Sequence, residues 1–425
     1  MKIVTVVEFC PPRLGSDRRI FELLSRFPET DKINFLVFPP SRALLGLLPF
    51  SQKHKKDCEK VIKRGLQAYY VSLPPLLRMM WRHYLLGYCL TTPYVFLRTF
   101  RIIRRMNPDI VFLNYPSVYT GLIGLLVSKI LRKKVVVDFN DMIADYTTSL
   151  FHQCSGDVGK TNNILGDAII RFLTMIQNWI AINADVVVAP STPIIDHAKQ
   201  VGIKNIFYLP NGVDTSVFNP RKYHESQGRD LRQKYNVRDN EKLVVYMGRL
   251  EEWAGTRLIS KCAEKLKNQP VKFLLVGEGQ CESASKTSNV VFGGTIHYEL
   301  VPEYLAAADL VLVPMKPDVL GNAASPIKLF EAMAMMKPIV ASDTTGISDV
   351  AKNYQDGILV PFDENAWAHA ILHILKNPSI ASKLGMNTRK KAEAMFDWNI
   401  LASKLQQLLI QLSKSSHKKK RRFSI

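Results

Sequence analysis

Acidic side chains are scarce in this sequence: 37 Asp and Glu stand against 57 Lys and Arg, a formal net charge of +20. A surplus of that size calls for an anionic counterpart, whether a polyanion, an anionic membrane or an anionic substrate. Cysteine is sparse too. The six (Cys10, Cys58, Cys89, Cys154, Cys262 and Cys281) contain no C-x-x-C pair. That pattern excludes the usual zinc spacings and a disulfide framework, and it fits reduced thiols in a cytosolic compartment. No D-x-D triplet occurs, and no metal is expected. Zinc-finger spacing and an RNA-recognition aromatic signature are also missing, so nucleic acid is not the expected counterpart of the charge.

Long apolar runs are equally absent. Residues 110–128 carry no charge and are long enough to cross a bilayer. Asn114, Pro116, Ser117 and two glycines interrupt them, and strand-turn-helix fits better. The opening KIVTVVEF reads as a first strand, with no cleaved leader expected.

What the chain does have is a repeated strand-turn-helix pattern. Its 425 residues, 47% hydrophobic and 22% charged, are ordinary for a globular protein. At roughly 100–200 residues per domain they suggest two domains. Apolar runs of strand length fall at 2–7, 33–38, 109–113, 134–137, 185–189, 243–247, 272–276, 289–292, 309–313 and 338–341. Most are continuous and β-branched, as in parallel sheets covered on both faces. The class is therefore α/β with right-handed crossovers. The expected organisation is an N-terminal domain at 1–205 and a second at 206–392. A helix at 393–413 and a basic tail without fixed structure at 414–425 follow.

Residues 76–106 mix Leu, Met, Tyr and Trp with arginines, of which Arg98, Arg101, Arg104 and Arg105 recur at helical spacing. Two readings stand: a face for an anionic membrane, or a core helix with a solvated cationic side. Lys418, Lys419, Lys420, Arg421 and Arg422 in the tail can add to membrane affinity or simply be solvated.

Five segments can carry chemistry. Gly15 opens a helix after the first strand, where backbone N–H groups can approach a phosphate, although any such turn can hold glycine. Gly248 and Arg249 end the first strand of the second half, where ligands of open α/β sheets sit; Arg249 suits a diphosphate or a surface ion pair. Gly277 marks the next strand end as a ligand-facing or a plain turn. In NAASPIKLFEAMA, Ser325 reads as a helix cap with Pro326 in the first turn. Lys328 then opposes the helix dipole unless an anion is bound, and Glu331 lies one turn on, facing ribose hydroxyls or pairing with Lys328. In VDFND, Asp138 and Asp141 are candidate reacting carboxylates or helix caps.

Taken in order, PPRLGSDRR, LPNGVDTSVFNP, VVYMGRL, FLLVGEG, VVFGGTIHYELVPEYLAAADLVLVP and SPIKLFEAMAMMKPIVASDTTG resemble the GT-B retaining glycosyltransferases of the group-one (family-four) type. The likeness covers residues 1 to about 400. It implies two Rossmann-like domains facing across a cleft, with the final helix crossing back to the first. The nucleotide diphosphate sugar would sit mainly in the second domain and the acceptor in the first. The donor is a substrate, and no separate cofactor is implied.

By the same likeness Gly15 adjoins the donor diphosphate, Arg249 and Lys328 pair with it, Glu331 holds the ribose, and the backbone around Ile296 holds the base. Asp138, with Asp141 second, lies near the reacting sugar. Three positions depart from the family pattern: Ala254 where Lys is frequent, Ala323 where a first glutamate is usual, and Asp138 where His is frequent. The SPIK form resembles a subgroup in which Lys328 supplies the missing positive charge. The implied function is transfer to a glycan or lipid-linked acceptor in envelope or glycan biosynthesis. The implied location is cytoplasmic or peripheral on the cytosolic membrane face. The alternatives are a nucleotide-sugar epimerase on the same fold and an inactive binding protein.

Overall fold

Runs such as Val135–Val136–Val137 have no polar side, so a strand built from them must be covered on both faces. The computed structural model does this twice, in two units that each hold a parallel sheet between helices. It describes residues 1–7, 15–38, 65–71, 73–74, 77, 84–114, 116–117, 119–140, 164–223, 225–251, 254–279 and 287–422.

The first unit comprises Met1–Pro190, Ile194–Leu209 and Asn399–Ile425. Its strands are β1 (Ile3–Val7), β2 (Ile33–Val37), β3 (Gln67–Tyr70), β4 (Ile110–Leu113), β5 (Lys134–Asp138), β6 (Val186–Ala189) and β7 (Ile206–Tyr208). They form one seven-stranded sheet in the order β3-β2-β1-β4-β5-β6-β7. Its helices before the chain leaves the unit are α1 (Gly15–Leu24), α2 (Tyr84–Met106), α3 (Thr120–Ile130), α4 (Ile164–Ile182) and α5 (Thr192–Gln200). Residues 110–128 are thus strand, turn and helix. No helix among the described residues is long and apolar enough to cross a membrane.

The second unit is Ser191–Pro193 with Pro210–Trp398. Helix α6 (Glu225–Lys234) precedes β8 (Lys242–Met247), α7 (Thr256–Lys265), β9 (Val271–Val276) and β10 (Val290–Gly294). After these come α8 (Val301–Ala307), β11 (Leu310–Val313), α9 (Val319–Ala323) and α10 (Ile327–Ala334). The unit continues with β12 (Ile339–Ser342), α11 (Thr345–Ser348), β13 (Ile358–Val360), α12 (Glu364–Lys376) and α13 (Pro378–Lys391). The sheet order is β10-β9-β8-β11-β12-β13. The chain therefore steps outward from β8 to β10, then returns to β8's other side with β11. At such a reversal the helices diverge to opposite faces, and a crevice opens at the carboxyl ends of the two central strands.

All ten expected strands form. The strands without a sequence signal are β3, β7 and β13, each at a sheet edge. β3 alternates weakly and is largely exposed, and the other two are three residues long.

Two domain expectations need correction. The boundary lies at Leu209–Pro210, because β7 pairs in parallel with β6 and so belongs to the first unit. The tail is not a loose end from residue 414. After a π-helical turn at Ala392–Phe396, one helix, α14 (Trp398–Arg422), runs on through the basic residues. Leu401, Leu405 and Leu409 bury one stripe of it. Lys and Arg are good helix formers that simply extend a helix already nucleated.

Candidate functional site

The carboxyl ends of β8 and β9 are locked together by glycines. Gly248 has φ +150° and Gly277 φ +151°. A Cβ on Gly277 would lie 1.7 Å from the Gly248 carbonyl oxygen, which excludes any side chain. A Cβ on Gly248 would meet the Tyr246 hydroxyl at 3.1 Å and Lys328 Nζ at 3.2 Å. The bare backbone here is thus a consequence of what is packed against it.

Tyr246 is the one hydroxyl-bearing residue in the buried part of β8, and it is fully buried. Its hydroxyl donates to the Arg249 carbonyl at 2.7 Å and accepts from Lys328 Nζ at 3.1 Å. The Lys328 ammonium also lies 4.4 Å from the Tyr246 ring centroid, a cation–π contact. One tyrosine therefore ties the loop after β8 to the first turn of α10. Burial pushes the Lys328 ammonium down to about 7, against the pull of Glu331, which favours the charged form. A half-neutral lysine beside a helix N-terminus suits an anion: a bound negative charge would restore the proton and complement the dipole.

The helix cap differs from expectation by one residue. Pro326, with φ −71° and ψ 124°, is the N-cap, and no side chain caps α10. Ser325 precedes it. Its carbonyl accepts from Asn211 Nδ2 at 2.6 Å, while its buried Oγ has no hydrogen-bond partner. The Leu329 N–H donates to the Pro326 carbonyl at 3.0 Å, while no side chain caps the first-turn N–H groups. Glu331 is buried one turn further on, its Oε1 accepting from the Tyr298 hydroxyl at 2.7 Å. Ile296, just beyond β10, is partly buried and packs with Tyr298 against the apolar core of this unit.

Arg249 follows Gly248 and is partly exposed, its Nη1 2.9 Å from Glu251 Oε1. This is the surface ion pair that the sequence left open. A partly exposed pair of this kind contributes little to stability, so the guanidinium can be redirected to an anion at small cost. Ala254 and Ala323 are both buried.

In the first unit Gly15 opens α1, and Asp141 lies outside the described residues. Asp138 ends β5 with its side chain fully buried. Its carboxylate has no exposed surface and is 3.0 Å from Arg19 Nε, which is buried as completely. Arg19 also donates to the Leu209 carbonyl at 2.7 Å. Burial raises the Asp138 pKa and the Arg19 charge opposes it. The reason is tertiary: α1 brings a guanidinium into the apolar layer, and the nearest strand-end carboxylate neutralises it.

Of the residues expected from sequence in this half, the structure brings Gly248, Gly277 and Lys328 together at the carboxyl ends of β8 and β9, with Arg249 next to Gly248 and Ser325 and Glu331 flanking Lys328 in sequence. Sequence reasoning did not single out Tyr246, Tyr298 or Asn211. The signal for Tyr246 was present, as a lone hydroxyl in the buried strand LVVYM.

The comparisons agree with this architecture. A family model described as "Glycosyl transferases group 1" matches residues 228–391, and one described as "Glycosyltransferase Family 4" matches residues 68–217. The putative teichuronic acid biosynthesis glycosyltransferase TuaC of Bacillus subtilis is 26% identical over 51% of this chain and 53% of its own length. The sulfoquinovosyl transferase SQD2 of Arabidopsis thaliana is 24% identical over 71% of this chain and 56% of its own. The matches thus span about half the length of these curated relatives. Among solved structures, Alr3699/HepE of Anabaena in complex with UDP superposes with a TM-score of 0.72 at 17% identity, covering 97% of this chain and 100% of that one. WaaG, a glycosyltransferase involved in lipopolysaccharide biosynthesis, gives 0.64 at 13% identity, covering 96% of this chain and 99% of that one. On these matches residues 228–391 fit the group 1 glycosyl transferases and residues 68–217 fit Glycosyltransferase Family 4, and with its two parallel sheets the chain has the GT-B fold.

Proposed function

We propose that this protein transfers a sugar from a nucleoside diphosphate sugar to a glycan or lipid-linked acceptor, with retention of configuration and without a metal ion. The observation that carries the reading is the Lys328 ammonium, held by Tyr246 against Gly248 in the first turn of a helix that no side chain caps. A cation in that turn is unfavourable until an anion joins it. When the bond from the anomeric carbon to the diphosphate oxygen breaks, negative charge grows on the leaving group. Lys328, a redirected Arg249 and the first-turn N–H groups of α10 would stabilise it, in place already before the reaction. Glu331, oriented by Tyr298, would accept hydrogen bonds from the ribose, and the backbone at Ile296 would hold the base.

Of the two carboxylates in VDFND, Asp138 is paired with Arg19 and Asp141 lies outside the described residues, so neither is assigned a step in the transfer. Relatives named for teichuronic acid and lipopolysaccharide synthesis support an envelope glycan as the product. The UDP and UDP-glucose complexes of HepE make uridine donors the first to try.

The test is thermal stabilisation by UDP-, GDP- and ADP-sugars, since a ligand that binds only the native state raises Tm. One donor is expected to raise the Tm of the wild type and to leave Arg249→Ala and Lys328→Ala nearly unmoved. Equal shifts in all three proteins would remove the diphosphate from this site. Donor turnover with no acceptor present would favour the epimerase instead.

A further inference from the structure

Strands β4, β5 and β6 are each reached by stepping the same way across the first sheet. Right-handed crossovers therefore place α2, α3 and α4 in one layer on one face, and α3 packs against both of the others. The outer side of this layer is unusual. On α4 a stripe at spacings of three and four residues is apolar and exposed: Phe172 at 55%, Met175 at 60%, Trp179 at 45% and Ile182 at 48%. Leu126 and Ile130 extend it on α3. A helix turned towards water normally puts polar residues at these positions, and clustered apolar exposure marks an interaction surface.

The charge around the stripe is mainly positive. Arg171 on α4, Lys129 on α3, and Arg101, Arg104 and Arg105 on α2 are exposed. Neither α2 nor α3 contains an acidic residue, and α4 contains only Asp167.

We propose that this face docks on an anionic lipid bilayer, with Phe172, Met175, Trp179 and Ile182 entering the interface and the surrounding cations meeting headgroups. A second copy of the chain would bring the same cations against one another, whereas an anionic surface neutralises them. Aromatic and long aliphatic side chains ringed by Arg and Lys match the apolar-to-polar gradient of a bilayer interface. The sequence pointed to residues 76–106 for this role; of these, the described helix α2 supplies exposed arginines beside the apolar stripe of α4, and most of residues 76–83 lie outside the described residues. The proposal is independent of the nucleotide site, and a chain that bound no donor would still adsorb.

The test uses the full chain with vesicles of phosphatidylcholine alone or mixed with phosphatidylglycerol. The wild type is expected to sediment with the mixed vesicles, less so as salt rises, and to remain in solution with the neutral ones. Phe172→Ser with Trp179→Ser should weaken that binding at least about tenfold with Tm unchanged, because both side chains are already exposed. Arg101→Gln with Arg104→Gln and Arg105→Gln should weaken it and flatten its salt dependence. Trp179→Phe should abolish a vesicle-induced blue shift of tryptophan emission. Wild type that stays in solution with anionic vesicles overturns the proposal. So do variants that sediment like the wild type, and a wild-type dimer that Phe172→Ser with Trp179→Ser converts to monomer without any vesicle binding.

Discussion

Lys328 is where the chemistry of the site becomes measurable in a single residue. Its ammonium is pushed from 10.5 to about 7 by burial, so between those values the unfolded chain holds a proton that the native chain has released. Stability from this residue therefore rises with pH from about 7 to 10.5, and below pH 7 its full desolvation cost is present. Lys328→Met should accordingly be more stable than the wild type at pH 6, on the order of 2 kcal/mol. The gap should close by about pH 10, as read from denaturant midpoints. A gap independent of pH would mean that the lysine is solvated in the native state. Asp138 makes the opposite kind of prediction. With Arg19 equally buried, Asp138→Asn leaves an uncompensated internal charge and should cost about 3–5 kcal/mol in the same unfolding experiment. A neutral effect would return Asp138 to the list of reacting groups.

At the scale of elements, the loops after β8 and β9 act as one piece, because Gly277 has room for nothing but hydrogen beside the Gly248 carbonyl. Gly277→Ala should lower stability by at least about 3 kcal/mol and abolish the Tm shift given by a donor sugar; retention of that shift would show that the two loops move separately. The strand ends were legible in the sequence because buried parallel strands read as unbroken Val, Ile and Leu runs, and the glycines after them stand out. Three of the four edge strands were not: β7 and β13 are too short to show a pattern, and β3 exposes most of its side chains. Tyr246–Lys328 and Arg19–Asp138 join residues 82 and 119 positions apart. No local spacing reveals such pairs. The cap at α10 was misplaced by one residue because Ser and Pro both favour helix starts, and only the backbone angles distinguish which of them lies outside the first turn.

At the scale of the molecule, each unit has its own sheet and the same reversal of strand order, yet their surplus charge serves different purposes. The second unit places Lys328 and Arg249 at strand ends, where a small anion fits. The first spreads arginines over the outside of a helical layer, where a surface fits. On the two proposals, a donor and a bilayer would meet different units of the chain, and the two ligands should bind without competing. The central claim is that the diphosphate of a donor meets Lys328, and calorimetric titration with UDP at about pH 8, in buffers of differing ionisation heat, tests it most directly. A lysine that titrates near 7 when free must regain its proton as the diphosphate arrives. The wild type should therefore take up close to one proton on binding and bind more weakly as pH rises above about 7, while Lys328→Met takes up none. Binding by the wild type with no proton uptake, or the same uptake in Lys328→Met, would contradict the account.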